Sequence, residues 1–246
     1  MIKAEPVLQL EHVSAFLREG QSVNDVSLVV QPGELVAFVG SNSSGKGLAL
    51  RLGAGLEAPL EGTVRLLGVN PARVAEPAYL DLRRRVGVVF DQPALISNMS
   101  VFNNVALPLR YHTVLSEPDI EGRVIAALRE WGIEGLRDRF PAELMLGDAR
   151  LVGIARAQIL EPQILFFDDM LVGLDAGGLS RLRKFFESLR VKRGLTLVTS
   201  AGAPTKLFEV LDRVFFFQNG RLLSHGSPAE VLKTRDPGVL ELFSVQ

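Results

Sequence analysis

The chain of 246 residues contains no cysteine, which excludes disulfides and thiolate metal centres and fits a reducing compartment. It also lacks an excess of either charge: 27 lysines and arginines face 28 aspartates and glutamates, for a formal net charge of -1. With no positive surplus to neutralise a phosphate backbone, nucleic acid is not an expected partner. No apolar run approaches the roughly 18 residues that a membrane-spanning helix needs. The opening MIKAEPVLQL lacks the basic-then-apolar order of a signal peptide, so any membrane role is expected to come through a partner. What the chain has in abundance is apolar residues, at 47% with a mean hydropathy of +0.22. They gather in short runs such as LVAFVG, ILFFD and VFFFQ, which read as buried parallel strands of a sizeable α/β core.

The order of elements follows from periodicity and turn residues. VLQLEHVSAFL and VNDVSLVV alternate as antiparallel strands do and end at the turn Gln31, Pro32, Gly33, Glu34. A mostly helix-like region is expected over residues 78–160, where SEPDIEGRVIAALREWG offers Ser116 as a cap and Pro118 in the first turn. Strand patterns return with QILFFDD, LTLVTS, RVFFFQNG and RLLSHG, and Asn219-Gly220 is expected to turn a hairpin between the last two. The expected organisation is a core from 1–77 and 161–246, including an antiparallel β subdomain, with 78–160 as a helical insertion.

One motif carries chemistry. LVAFVG runs into GSNSSGKG, Gly40 to Gly47, in the order strand, glycine-rich loop, helix. The pattern GxxxxGK[ST] cradles phosphate with backbone N–H groups at a helix N-terminus. Its lysine reaches the β and γ phosphates, and its final hydroxyl ligates Mg²⁺. Lys46 is present; the hydroxyl is replaced by Gly47. The simplest expectation is a loop that still holds phosphate through Gly40, Ser41, Asn42, Ser43, Ser44, Gly45, Lys46, Gly47 and Leu48, with ordered metal impaired.

The succession of phosphate loop, helical region, ILFFDD, GLD and LVTS resembles the ATP-binding subunit of ABC transporters over essentially the whole chain. Within that family it looks most like the ATPase of MCE-type lipid transporters, the maintenance-of-lipid-asymmetry system. PALISNMSVFNNVALPLR (Pro93 to Arg110) and DPGVLELF (Asp236 to Phe243) carry the narrower likeness. The resemblance implies ATP and Mg²⁺ as cofactors and two such subunits packed head to tail, as a homodimer or heterodimer. It implies integral membrane permease subunits above the pair, and a peripheral place on the cytoplasmic face of the inner membrane.

Against the family pattern the departures cluster. Ser43 stands where a glycine is usual, and Gly47 and Leu48 replace two hydroxyl residues. Asp168 matches the carboxylate that supports Mg²⁺, while Asp169 replaces the glutamate that acts as general base and is one methylene shorter. Ser200 takes the place of the histidine that contacts the γ-phosphate, and His12, His112 and His225 are expected in ordinary surface or half-buried roles. Asp91 occupies the position of a glutamine that touches metal and water. Three readings stay open there: Gln92 shifts into register, Asp91 compensates for the missing hydroxyl as a metal ligand, or Asp91 is a solvated loop carboxylate. The signature LSGGQ becomes Leu144, Met145, Leu146, Gly147 and Asp148, which lacks the serine and one glycine. Phe16 aligns with the aromatic residue that stacks on adenine, the alternative being simple core. Gly173, Leu174 and Asp175 match a loop of cross-dimer contact, and Arg83 to Arg85 reads as a solvated strand entry.

The expected fold is therefore α/β, a P-loop core of ABC-ATPase type with an antiparallel β subdomain and a helical insertion. The leading functional expectation is a degenerate, non-hydrolytic subunit that binds nucleotide weakly or not at all, with Mg²⁺ in doubt, and serves as a structural or regulatory half of a lipid-transport complex. The alternatives are a working ATPase with a rearranged site and, lacking any basic groove, a DNA-handling relative.

Overall fold

Buried five-residue and four-residue runs set the architecture of the computed structural model, which describes residues 5–17, 21–169, 174–192, 194–202 and 206–231. The first half of the chain gives β1 (Leu8–Phe16), β2 (Ser22–Val30), β3 (Leu35–Val39), α1 (Lys46–Gly53), β4 (Glu61–Leu66), α2 (Glu76–Arg84) and β5 (Val86–Val89). Three helices follow, α3 (Val101–His112), α4 (Glu117–Glu130) and α5 (Leu146–Gln158). The chain continues through β6 (Ile164–Phe167), α6 (Ala176–Lys192), β7 (Thr196–Ala201), β8 (Arg213–Gln218), β9 (Arg221–Gly226) and α7 (Pro228–Val231).

Six strands form the central sheet in the order β5-β6-β7-β3-β8-β9. All neighbours are parallel except the β8-β9 hairpin, whose turn places Asn219 at φ 49° and Gly220 at φ 77°, as a tight hairpin turn requires. Every residue of β3 and β6 is buried, because a parallel sheet is covered on both faces. The period of two then sorts side chains between two cores. Leu35, Ala37, Val39, Leu165 and Phe167 face the helices α3 to α6. Val36, Phe38, Phe166, Phe215 and Phe217 face α1 and the second sheet, which is three-stranded and antiparallel in the order β2-β1-β4.

The expected antiparallel strands, hairpin and helical region are present, with two corrections. Within 78–160, β5 belongs to the central sheet as its edge, so the helical part of that stretch runs from α3 to α5. The segment also holds a positioning device: Asn104 is fully buried. Its amide accepts from the Ile96 N–H at 2.8 Å and donates to the carbonyls of Ile96, Met99 and Ser100 at 3.0 to 3.1 Å. Secondly, Arg83 is not merely a solvated entry to β5. It lies over the Tyr79 ring at 4.7 Å and donates to the carbonyls of Ala54 and Gly55, tying α2 to the end of α1. Ser116 does cap α4, accepting from the Asp119 N–H.

Candidate functional site

The carboxyl ends of the parallel strands, where α/β sheets bind ligands, bring together the loop after β3, Asp91 after β5, Asp168 and Asp169 after β6, and Ser200 on β7. Two glycines fix the loop. At Gly40 a Cβ would lie 2.3 Å from the Phe217 carbonyl oxygen and 2.5 Å from Ser44 Oγ. Gly45 has φ 90° and would meet the Ser22 carbonyl oxygen at 2.3 Å, so only glycine lets the chain turn into α1 against β2. Gly45 is the N-cap of α1 and has no side-chain cap, which leaves first-turn amides without intrahelical partners. Ser41, Asn42 and Ser43 are exposed, while Ser44, Gly45, Lys46 and Leu48 are buried and Gly47 is half-buried. The loop is pinned from below by Gly40 N–H to the Ala201 carbonyl and by Gly220 N–H to the Ser44 carbonyl.

Lys46 donates from Nζ back across the loop to the Ser41 carbonyl at 3.0 Å. Burial depresses its pKa, opposed by the nearby carboxylates of Asp169 and Asp168. Phe16 ends β1, opposite Ser22, whose carbonyl abuts Gly45. Phe16 is 69% exposed, so the ring is not core.

Asp168 is the electrostatic centre. Its backbone N–H donates to the Val89 carbonyl at 2.8 Å, and its side chain is only 15% exposed. Oδ1 accepts a hydrogen bond from Ser200 Oγ at 2.8 Å, and Oδ2 lies 3.8 Å from Arg51 Nη1. Burial raises its pKa, and the Ser200 bond and Arg51 pull it back. Ser200, fully buried, also accepts from the Asp169 N–H at 2.8 Å. Asp169 therefore sits at the end of β6 with a left-handed φ of 47°, its conformation fixed by Ser200 below and by Arg150, which donates to its carbonyl at 2.8 Å. Arg150 donates as well to the carbonyls of Asp168 and Phe90, joining α5 to β5 and β6.

Asp91 is exposed and accepts from the Gln92 N–H at 2.7 Å. Its charge helps to raise the Asp168 pKa and opposes the burial-driven lowering at Arg150, and Gln92 is also exposed. Among the described residues no group of three His, Cys, Asp or Glu side chains is arranged to hold a metal ion. Met145, the N-cap of α5, makes no side-chain cap bond. With Leu146 it stands on the surface, 76% and 46% exposed; Gly147 and Asp148 form the first turn of α5. Asp175 accepts from the Gly178 N–H at 2.7 Å at the start of α6. Gly173 and the segment 236–243 lie outside the described residues.

Three participants were not singled out from the sequence. Arg51 is one helical turn beyond Gly47, an i,i+4 spacing that could have flagged it. Arg156 donates from α5 to the carbonyls of Pro93 and Ala94, and with Asn104 it shapes the segment after Asp91; the Arg156 contacts reach back 62 and 63 residues and leave no local signal. His12 pairs with Asp25 at 2.7 Å, both side chains exposed, His112 meets the Tyr111 ring edge to face and His225 lies on β9 against Phe215. None of them enters the site.

Known proteins share this arrangement. The family model described as ABC transporter matches residues 23–172. The intermembrane phospholipid transport system ATP-binding protein MlaF of Escherichia coli K12 is 32% identical over 230 residues, covering 93% of this chain and 86% of its own length. The sulfate/thiosulfate import ATP-binding protein CysA of Pectobacterium atrosepticum is 33% identical over 228 residues, 91% of this chain and 67% of that protein. Among solved structures, cbiO1 of Clostridium perfringens, part of an ABC transporter complex, superposes with a TM-score of 0.79 at 26% identity, over 98% of this chain and all of its own. The cassette MJ0796, solved as a dimer in a post-hydrolysis state with ADP and Pi, gives 0.82 over 89% of this chain and 98% of its own, at 23% identity. By the family match and by the MlaF likeness across nearly its full length, this chain belongs to the ABC transporter family, as an ATP-binding subunit similar to that of phospholipid transport.

Proposed function

We propose that this chain is a non-hydrolytic ATP-binding-cassette subunit of an MCE-type lipid transport complex, which binds nucleotide and acts as a structural or regulatory partner. One observation supports this reading: the residues of a phosphate loop are kept, while the positions around it that would serve metal, base and γ-phosphate are all altered. Lys46 and the glycines Gly40 and Gly45, where a Cβ would clash, keep the loop geometry. Gly47 offers no hydroxyl, Asp169 is a short carboxylate with its backbone tied to Ser200 and Arg150, and Ser200 is spent on Asp168 instead of reaching outward. At the start of α5, exposed Met145 and Leu146 present bulk where a partner's γ-phosphate would need a hydroxyl and amides.

Magnesium does not fit this donor set. Asp168 has one oxygen bonded to Ser200 and the other beside Arg51, and position 47 supplies nothing. Residues 40–48 would grip phosphates through Lys46 and the amides of α1, with Phe16 as the platform for a base.

Beside a competent partner, each of the two composite nucleotide sites would contain one damaged half, the loop and base in one and the signature in the other. The chain would sit peripherally under integral permease subunits on the cytoplasmic face, its own contribution being nucleotide-dependent closure. Hydrolysis assayed on purified chain with ATP and Mg²⁺ tests this: background rates equal to those of Lys46→Ala are expected, and robust turnover that Lys46→Ala abolishes would refute it.

A working ATPase with Asp91 and Asp168 as metal ligands is the second reading, favoured by their places just past the carboxyl ends of the paired strands β5 and β6. Restoring Gly47→Ser with Asp169→Glu separates the two. A rearranged but active site gains nothing or is harmed, and a degenerate one gains metal-dependent nucleotide affinity.

A further inference from the structure

Side chains on a helix lean toward its N-terminus, so Arg51, one turn after Gly47, folds back along α1 toward the phosphate loop. Its Nη1 lies 3.8 Å from Asp168 Oδ2, with the arginine side chain 25% exposed and the aspartate 15%. Nη2 donates to Gln21 Oε1 at 2.9 Å, which holds the guanidinium in place from the β1-β2 connection. A Cβ built on Gly47 would stand 3.8 Å from the same Nη1 and 3.7 Å from Asp168 Oδ1. Any side chain at position 47 would thus project toward the gap between carboxylate and guanidinium, and glycine leaves that gap to Arg51.

The consequence is electrostatic. A divalent cation here would need several oxygen ligands at close range and would face a guanidinium that does not lose its proton. The same guanidinium neutralises Asp168, whose charge would otherwise repel a triphosphate entering the loop, and it presents N–H groups suited to phosphate oxygens. We propose that Arg51 takes over the charge-balancing task of the divalent cation, so that the loop takes up a nucleoside triphosphate free of metal. This rests on the reading that residues 40–48 hold nucleotide at all.

The experiment is a titration of the full chain with a fluorescent ATP analogue in excess EDTA and in excess Mg²⁺. Equal affinity, within about threefold, is expected in the two conditions. Arg51→Gln should weaken binding in EDTA by roughly 10- to 100-fold, as loss of a charge-assisted contact does, whereas Arg51→Lys should lose less. Gly47→Ser combined with Arg51→Leu should bind about tenfold more tightly with Mg²⁺ than without it. Melting curves and circular dichroism of each variant establish that the fold persists. Wild-type binding that is tenfold or more tighter with Mg²⁺, or an unchanged Arg51→Gln, overturns the inference while leaving a non-hydrolytic subunit intact. Absence of binding in both conditions overturns the inference and the retained cradle together.

Discussion

Ser200 should be the keystone of the altered site, and its removal has a calculable effect. The hydroxyl is fully buried, accepts the Asp169 N–H at 2.8 Å and donates to Asp168 Oδ1 at 2.8 Å. Ser200→Ala strands a partly buried backbone donor, at about 1–3 kcal/mol, and deletes a hydrogen bond to a charged group, typically about 1.5–3 kcal/mol. Because the two share one oxygen and the small cavity left allows some relaxation, we expect a combined loss of about 3 kcal/mol. For a chain of this size that lowers Tm by roughly 6–12 °C. The loss should depend on pH with a definite sign. Ser200 stabilises the ionised form of Asp168, so its deletion costs most at pH 7 and less near pH 4, where Asp168 carries its proton and the charge-assisted part is gone. Thermal and urea unfolding at both pH values, with Asp168→Asn and the double variant completing the cycle, measures the coupling. A Tm drop under about 2 °C, or an equal loss at both pH values, would show that Ser200 does not hold Asp168 and Asp169 as described.

Asp168→Asn should stabilise the unliganded chain at neutral pH, as followed by urea midpoints. The folded state binds the Asp168 proton more tightly than the unfolded chain does. Wild-type stability therefore falls as pH rises from about 3.9 through the folded value, and the advantage of the variant vanishes below about pH 4. Gly45→Ala should cost at least about 2 kcal/mol, since it forces a side chain into left-handed backbone and places its Cβ 2.3 Å from the Ser22 carbonyl oxygen. The same variant should lose binding of the fluorescent ATP analogue, and unchanged stability would mean that the loop entry is not built as described.

Much of this was legible from residues close together in sequence. The β3-loop-α1 unit announces itself through LVAFVG and Gly40 to Lys46, and the β8-β9 hairpin through Asn219-Gly220, because backbone demands there are local. The substitutions Gly47, Asp169 and Ser200 were readable as departures from a family pattern. Their physical consequences were not, since Ser200 meets Asp168 across 32 residues and Arg51 meets it across a longer span. β5 was hidden because VGVV is only four residues long, flanked by an arginine run and set inside a helix-rich stretch. Asn104 read as one polar residue on α3, and only the folded chain shows that it staples residues 96–100.

The chemical identity of the nucleotide left on the protein puts the central claim to its most direct test. The full chain is incubated with Mg²⁺ and γ-labelled ATP, passed through a desalting column and quenched in acid, and the bound nucleotide is resolved by chromatography. Retained nucleotide that remains triphosphate, with no label released beyond that of the Lys46→Ala control, is the predicted result; bound ADP with stoichiometric label released would contradict it.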